Sequence, residues 1–431
     1  MISVYVFGPI LAAEKNDSIK TIHMRKIAII AILASLAVSC VKPDDDPKNN
    51  PLKPIELSTK SVELVQKGDT FGLAFLEQVN AAATKDYIIS PLSMQILLGM
   101  VLNGARGETA AQICNVLGYG ADDTPAVNEF CLSMLQQLPA LDKKTKLTLA
   151  NAIFVDDGWP LNDSYKKTVG QYYMAEVSNL DFGNNEASLK AINGWCSKQT
   201  NGLIPKVLDE VSHNMLAYLL NALYFKSQWT DKFNTSLTAQ EAFTAEDGTK
   251  SKVSMMKRLD DAQYTEDEVF RAVRLPYGNG AFSMTVFLPQ QGHKLAEVVS
   301  DLKKTGWSAV REGMRSYEVD LWLPKFETKY HIKLNDILSE MGMPLAFDRT
   351  SADFTAMSPY ALCLSFVQQD AIIKVDEEGA EAAAVSVVGM LKETAPGPGK
   401  TVVFHADQPF LYLISEASTG AILFAGRFGA K

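Results

Sequence analysis

The chain has 431 residues, of which 47% are hydrophobic and 21% are charged, and its formal net charge is −9. A chain of this length buries a large core, so its fold does not depend on disulfides or structural metal ions. Its five cysteines are too few for a disulfide scaffold, and those beyond residue 40 are expected to be buried free thiols. The acidic balance argues against nucleic-acid binding, which depends on neutralising phosphates. We expect a globular protein with no cofactor, no metal ion and no nucleic-acid partner.

The N-terminal residues have the pattern of an export signal. Met24-Arg25-Lys26 precedes an apolar run from Ile27 to Ser39. A basic start, a short apolar run and small residues before a cysteine are typical of a secretory signal. The run is shorter than a transmembrane helix, which needs about 20 residues. We predict that residues 1–39 are a signal segment and that the true start is Met24.

The end of this segment suggests attachment to a membrane through a lipid. Leu36-Ala37-Val38-Ser39-Cys40 resembles a bacterial lipobox, in which the cysteine is lipidated and becomes the first residue of the mature protein. The alternative is a plain signal peptide in which Cys40 has no such role. With a lipid on Cys40, the protein would be an exported outer-membrane lipoprotein, at the cell surface or outside the cell, and would contact the membrane through this anchor only.

Residues 40–60 have the composition of a tether. They are rich in Pro, Asp and Asn, a composition that keeps a chain extended and unpacked. The adjacent Asp44, Asp45 and Asp46 also suggest a calcium site, but neighbouring carboxylates do not converge on one ion without a loop built for it. The stretch resembles the acidic tether of surface lipoproteins from Bacteroides-type bacteria, and we predict a tether.

Beyond residue 60, the spacing of apolar residues predicts helices first and strands later. Helices are predicted at 71–79, 91–102, 109–117, 186–200, 294–303 and 331–341. Strands are predicted at 147–155, 215–225, 270–275, 281–288, 317–323, 362–376, 401–405, 409–415 and 421–426. This order lacks a strict alternation of strand and helix. It predicts one α+β domain over 61–431, with early helices packed on large mixed sheets.

Residues 376–400 form a long connection between two predicted strands. Alanine and valine dominate 380–388, and since alanine favours helices and valine favours strands, neither structure is strongly preferred. In a strand, small or apolar side chains at 380, 382, 384, 386, 388 and 390 would share one face, with Glu381 on the other. The segment is a candidate two-state element, able to lie outside as a loop or inside a sheet. The alternative is a flexible surface loop.

Several motifs resemble those of one family. Val375-Asp376-Glu377-Glu378-Gly379-Ala380-Glu381-Ala382-Ala383-Ala384 closely resembles the hinge of the serpins, the serine protease inhibitor family. Further similar motifs follow in the family's order, at 89–93, 103–109, 192–195 with 200–202, 221–229, 275–277, 323–326 and 406–410. The resemblance covers roughly residues 61–431.

The resemblance implies a metastable fold with a five-stranded central sheet and an exposed reactive-centre loop at about 377–400. A target protease would attack this loop and form an acyl-enzyme. The cut loop would then insert as a sixth strand before hydrolysis, and serpin loop insertion is an established example of such a switch. The implied function is irreversible suicide inhibition of serine endopeptidases, and also of cysteine endopeptidases, by a monomer.

The resemblance also assigns roles to individual residues. Gly379 would be the pivot, because its missing Cβ eases backbone rotation. The implied hinge residues are Glu377, Glu378, Gly379, Ala380, Glu381, Ala382, Ala383 and Ala384. The implied sheet-opening residues are Ser90, Ser93, Asn221, Trp229 and Gln369. The family often has histidine at the position of Gln369, and an amide does not change its charge with physiological pH, which puts pH-gated opening in doubt.

The bond that a protease would cut stays open between neighbouring positions. Counting on from Gly379 as the family does places the cut between Glu393 and Thr394. A count shorter by one places Lys392 before the cut and would recruit trypsin-like proteases. Met390 and Leu391 would instead suit chymotrypsin- or elastase-like enzymes. The expected targets are therefore trypsin-, elastase-, chymotrypsin-like or Glu-specific proteases, with papain-like enzymes in addition.

An enzyme is not expected from this sequence. The domain has His213, His293, His331 and His405, none in an HExxH arrangement, and it has no GxSxG elbow or Walker-type glycine loop. The competing hypothesis is a non-inhibitory serpin that acts as a surface binding or carrier protein. Bulky or charged residues on the inward hinge face would mark such a protein, whereas this chain has small residues there.

Overall fold

The structure is a computed structural model that describes residues 49–212, 215–380 and 401–430. Within these ranges the chain forms the helices α1 Thr59–Ala82, α2 Pro91–Gly104, α3 Gly107–Leu117, α4 Thr124–Gln137, α5 Asp163–Tyr173, α6 Asn185–Gln199, α7 Leu295–Thr305, α8 Trp307–Gly313 and α9 Asn335–Glu340. Serine side chains cap the first two helices, because Ser58 accepts the N–H of Ser61 and Ser90 accepts that of Ser93.

The same ranges contain two β-sheets. Their strands are β1 Tyr87–Ile89, β2 Lys146–Asp156, β3 Glu176–Leu180, β4 Ala217–Gln228, β5 Ala239–Thr244, β6 Lys250–Glu266, β7 Phe270–Tyr277, β8 Phe282–Pro289, β9 Arg315–Pro324, β10 Phe326–Lys333, β11 Gln368–Val375, β12 Gly379–Ala380, β13 Val402–His405, β14 Phe410–Glu416 and β15 Ile422–Phe428. The first sheet has the order β1-β15-β14-β8-β7-β6-β9-β13, with β5 paired to β6. The second sheet has the order β10-β11-β12-β4-β2-β3.

Helix α2 connects the two sheets, because it contacts β15 of the first and β4 of the second. Nearly all of its residues are buried, which explains why its sequence is apolar on every side rather than along one stripe. The N-terminus of α2 lies beneath the second sheet. Its first turn is therefore placed to contact both β4 and β11, which carry the candidate site.

The helices and large mixed sheets confirm the predicted α+β class, but several predicted boundaries are wrong. The strand predicted at 362–376 begins only at Gln368, since the N–H of Leu364 bonds to Ala346 and that of Val367 bonds to the Asn335 side chain. These backbone groups are thereby withdrawn from a sheet.

A second wrong boundary concerns the helix predicted at 331–341. Strand β10 continues to Lys333, which pairs with Gln368 of β11, so the helix α9 begins only at Asn335. The apolar spacing that suggests a helix here belongs partly to a strand. Several described elements have no counterpart among the predicted ones, namely helices α4, α5 and α8 and strands β1, β3, β5, β6 and β10.

The predicted tether, 40–60, enters the described residues at Asn49 and is not free there. The Asn50 side chain donates to Asp142 over 2.6 Å, and the N–H of Ile55 donates to the Ser418 hydroxyl over 3.0 Å. Ile55 is buried, and α1 already begins at Thr59. The predicted boundary at residue 60 is therefore too late, because an apolar side chain anchors the chain to the domain before it.

The four cysteines of the domain are free thiols. Cys114, Cys131 and Cys196 are buried as expected, whereas Cys363 is only half-buried. Burial raises the pKa of Cys131 and of Cys196 to about 12. These two thiols stay protonated at neutral pH and act as small apolar side chains.

Candidate functional site

The second sheet contains a slot between β4 and β11. Among the described residues, these strands do not pair with each other, and only the two residues of β12 lie between them. Ala380 pairs with Val375 of β11 and with Ser227 of β4, and Gly379 pairs with Gln228. The expected sheet has five strands, and in the structure a sixth has begun where the predicted hinge enters this slot.

Gly379 can enter because it has no side chain. Its φ is +148°, and a Cβ built on it would meet the backbone oxygen of Ser227 and lie 2.7 Å from the Cα of Gln228. No L-residue fits so close to the β4 backbone without displacement. The predicted pivot is thus a place where the backbones of two strands are in direct contact.

Glu377 and Glu378, which precede the pivot, are anchored rather than exposed. Glu377 is buried, pairs with Lys325 over 2.7 Å and accepts the Thr238 hydroxyl over 2.8 Å. Glu378 pairs with Lys232 over 2.5 Å. The exposed loop predicted from residue 377 therefore does not include residues 377–380, because these residues are tied to the top of the slot.

The electrostatics of Glu377 favour its charged form. Burial alone would raise its pKa, but the bonds from Lys325, Thr238 and the backbone outweigh burial and lower the pKa below its ordinary value of 4.5. The carboxylate is thus ionised at neutral pH, and its ion pair with Lys325 is fully formed there.

Trp229 holds the turn that leads into the slot. Its indole N–H donates to the backbone oxygen of Asp376 over 2.9 Å, and its backbone N–H donates to Glu378 over 2.8 Å. The indole ring stacks on Tyr277 with centroids 4.3 Å apart. A rigid aromatic pair therefore fixes where the hinge residues enter the sheet.

The lower part of the slot opens into a cavity of about 690 Å³. Its lining includes Met94, Leu97 and Val101 of α2, Leu219 and Leu223 of β4, and Gln369 of β11. The lining combines apolar side chains with polar ones, among them Ser90, Ser93 and Asn221. It is thus suited to bury small side chains of a strand lying between β4 and β11.

One wall of the slot is tied to α2 through Gln369. Its side-chain oxygen accepts the N–H of Ser90 over 2.8 Å, and its amide donates to the Ser90 carbonyl over 3.0 Å. The Ser90 hydroxyl in turn donates to Leu423 of the first sheet over 2.6 Å. The strand β11 is thus linked to the first sheet through the cap of α2.

The other wall is tied to the same helix through Asn221 of β4. The Ser93 hydroxyl donates to the side-chain oxygen of Asn221. The Asn221 amide donates to Asn151 of β2 over 2.7 Å, and Asn151 donates to the Tyr173 carbonyl over 2.7 Å. Both walls are therefore held by the first turn of α2 and not by each other.

The structure thus brings Ser90, Ser93, Asn221 and Gln369 together under the slot, with Trp229 at its upper end. It also adds contacts that the sequence analysis does not predict, to Lys325, Lys232, Thr238, Tyr277 and Asn151. Lys325 lies in the serpin-like motif at 323–326, and this motif is the sequence signal that points to it. The remaining predicted site residues lie outside the described residues: Glu381, Ala382, Ala383, Ala384, Lys392, Glu393, Thr394 and Cys40.

Comparison with known proteins decides the family. The family model Serpin (serine protease inhibitor) matches residues 66–430. The chain belongs to the serpin family. It is 33% identical to an uncharacterised serpin-like protein of Thermococcus kodakarensis over 349 residues, which are 80% of this chain and 81% of that protein. It is 31% identical to the antitrypsin of Bombyx mori over 82% of this chain and 90% of that protein.

Solved structures agree with this assignment. The native state of the thermophilic serpin tengpin superimposes with a TM-score of 0.78 at 26% identity, covering 88% of this chain and 97% of that one. The predicted serpin resemblance is therefore confirmed. The family is described by its protease inhibitors and not as a family of enzymes.

Two further features of the described residues bear on the site. No group of three His, Cys, Asp or Glu side chains among them is arranged to hold a metal ion. None of the described helices is long and apolar enough to cross a membrane.

Replacing Gly379 with alanine tests the close contact at the pivot. We expect Gly379→Ala to expel β12 from the slot, because the new Cβ would overlap the β4 backbone, at a cost of about 1–3 kcal/mol. Hydrogen exchange at residues 376–380 would then accelerate by at least about tenfold. Gly280→Ala is the matched control, since Gly280 also has a positive φ of 90° but no atom within 4 Å of an added Cβ. Equal protection in both variants would contradict the contact.

Replacing Glu377 with glutamine tests the anchor and its pH dependence. Because the pKa of Glu377 is lowered on folding, its contribution is present above about pH 4.5 and is lost as the pH falls through its folded value. We expect Glu377→Gln to lose about 1 kcal/mol at pH 7 and progressively less as the pH falls below 4.5. Guanidinium unfolding over a series of pH values measures this trend. The exposed Glu268→Gln serves as control, and a loss that does not decrease as the pH falls would contradict the assigned charge.

Proposed function

We propose that the protein is an irreversible suicide inhibitor of serine endopeptidases, and also of cysteine endopeptidases, that acts by inserting its cut loop into the second sheet. One observation carries this proposal, namely that Ala380 already pairs with both walls of a slot whose walls do not pair with each other. A strand continued from Ala380 in this register would have a partner on each side as far as position 387, which lies opposite Leu220 and Gln368.

Continuing the register of β12 shows which side chains a complete strand would bury. Residue 382 would lie between Phe225 and Ile373, and residue 384 between Leu223 and Ala371, on the inward face. This chain has alanine at both positions. Small side chains there pass buried neighbours without a steric or desolvation barrier.

The same register aligns a polar residue with the polar network under the slot. Residue 386 would lie between Asn221 and Gln369, and this chain has Ser386 at that position. A serine hydroxyl is both donor and acceptor, so it could add a hydrogen bond to the amides of this network, which an alanine could not do. Apolar and polar residues of the loop thus match the slot row by row.

The proposed chemistry of inhibition makes use of this slot. The nucleophile of the protease attacks the carbonyl carbon of the scissile bond, the new amine leaves on the C-terminal fragment, and an acyl-enzyme remains on the N-terminal side. Water would normally hydrolyse this ester or thioester. Insertion of 379–393 instead carries the acyl group about 50 Å along the sheet at roughly 3.3 Å per residue. The protease is thereby removed from the geometry that it needs for hydrolysis.

The uncut protein must be held kinetically for this mechanism to work. The loop is continuous with β12 at one end and with β13 of the first sheet at the other. Only cutting between them frees the N-terminal part to enter the slot over its full length. The favourable pairing with β4 and β11 is thus withheld until a protease acts.

We further propose that the mature protein is exported and attached by a lipid on Cys40, and that the cut lies at Lys392, Glu393 or Thr394. The signal pattern and the lipobox-like residues support the first part. The distance of these residues from Gly379 supports the second.

A panel of proteases tests the function directly. The chain from residue 41 is mixed with trypsin-, elastase-, chymotrypsin-like, Glu-specific and papain-like proteases and analysed by denaturing electrophoresis and mass spectrometry. We expect a covalent complex at the summed mass with at least one of them, and the C-terminal fragment identifies the cut bond. Cutting without any complex across the panel would contradict inhibition and favour a non-inhibitory binding or carrier protein.

A second prediction concerns the partition between complex and cut product. We expect Ala380→Arg to turn the protein from inhibitor to substrate, because a cation at a buried inward position blocks insertion. The yield of complex would fall at least about tenfold while cutting continues. Ala395→Arg adds the same charge beyond the proposed cut and is expected to keep the yield. Unchanged yield in Ala380→Arg would overturn the insertion step.

A further inference from the structure

Two lysines face each other across the slot in the row below β12. Because Ala380 pairs with Ser227 and Val375, the next position in the slot lies between Lys226 and Lys374. Ser227 and Val375 are buried and point inward, so the alternation of side chains directs both lysines to the outer face. Lys226 is half-buried and Lys374 is exposed.

Positive charge predominates in this row of the sheet. Lys146 of β2 pairs in register with Lys226, which extends the row to three lysines. On the far side, Glu327 of β10 is opposite Lys374 but forms an ion pair with Lys329 over 2.9 Å. Among the described residues, Lys226 and Lys374 form no ion pair.

We propose that Lys226 and Lys374 form a carboxylate-binding site across the slot and that its occupant is Glu381 of the cut, inserted loop. This inference rests on the proposed insertion and adds to it a pair of residues that fix the register of the new strand. Strands on either side of one vacant position are about 10 Å apart, and a lysine side chain reaches about 6 Å, so one carboxylate is within reach of both ammonium groups.

The rows that follow explain why this position alone suits an acid. The next outward rows are Tyr224 with Ile372 and then Ala222 with Asp370. A carboxylate moved down by two or four residues would lose both lysines, and in the second case it would approach the Asp370 carboxylate. A slip of the inserted strand is therefore disfavoured by charge as well as by side-chain size.

The test measures how much cutting stabilises the protein. A metalloprotease, which forms no acyl-enzyme, cuts the loop of the full chain, and the thermal midpoint is compared before and after the cut. In low salt, we expect cutting to raise the thermal midpoint of the wild type. The rise in Glu381→Gln should be smaller by about 2 °C, because two partly exposed ion pairs are lost. The difference would shrink in 1 M salt, because exposed charges are screened.

A charge exchange makes the assignment specific. Glu381→Lys should reduce the rise in thermal midpoint further. Adding Lys226→Glu and Lys374→Glu to the Glu381→Lys chain should restore most of this rise. Lys333→Gln is the matched control, since Lys333 lies on the same sheet face but is separated from the slot by β11. A rise on cutting that is identical in wild type, Glu381→Gln and the exchanged variant would overturn the lysine site while leaving insertion intact. No rise in wild type would overturn both.

Discussion

The contact between the Gly379 backbone and the β4 backbone is the constraint on which the site depends. It places a strand end inside the second sheet, and a strand inserted after it would continue with the repeat of the β-ladder. A side chain at this residue would keep the hinge outside, and the slot would have no defined entry. Trp229, Glu377 and Glu378 serve this contact, because their bonds hold the preceding turn against the upper end of β4.

In the proposed mechanism, the free energy for inhibition would come from filling the slot. Strand β4 pairs with β2 from Ala217 to Lys226, whereas the described residues give its other edge only two partners. Each backbone hydrogen bond that forms on insertion adds about 1 kcal/mol, and apolar burial in the cavity adds more. The polar network at the N-terminus of α2 ties both walls to one helix, and in the proposed mechanism it would oppose opening of the uncut protein. The protein would thus combine a large driving force with a local restraint.

The sequence predicts the class of fold and the nature of the hinge, because both follow from local pattern. The alternation of small residues after Gly379 and the apolar spacing of α1 and α2 can be recognised without the structure. The contacts around the hinge cannot be recognised in this way, because they join residues that are far apart in the chain. Ser90 and Gln369 are 279 residues apart, and Trp229 and Asp376 are 147 residues apart. The strand Phe326–Lys333 is missed for a related reason, as its alternating polar residues acquire meaning only beside β11. The resemblance to a family supplied what periodicity could not, namely which distant residues belong together.

The position of β14 and β15 has a consequence for what the protein becomes after it is cut. Both strands are buried and lie well inside the first sheet, flanked by β8 on one side and β1 on the other. A cut before β13 separates them covalently from the rest of the chain but leaves all their ladder bonds and core contacts in place. The product is therefore a heterodimer of a large and a small polypeptide whose native mass is that of the intact chain plus one water. The small polypeptide does not exchange with solution, because its release would require the first sheet to unfold.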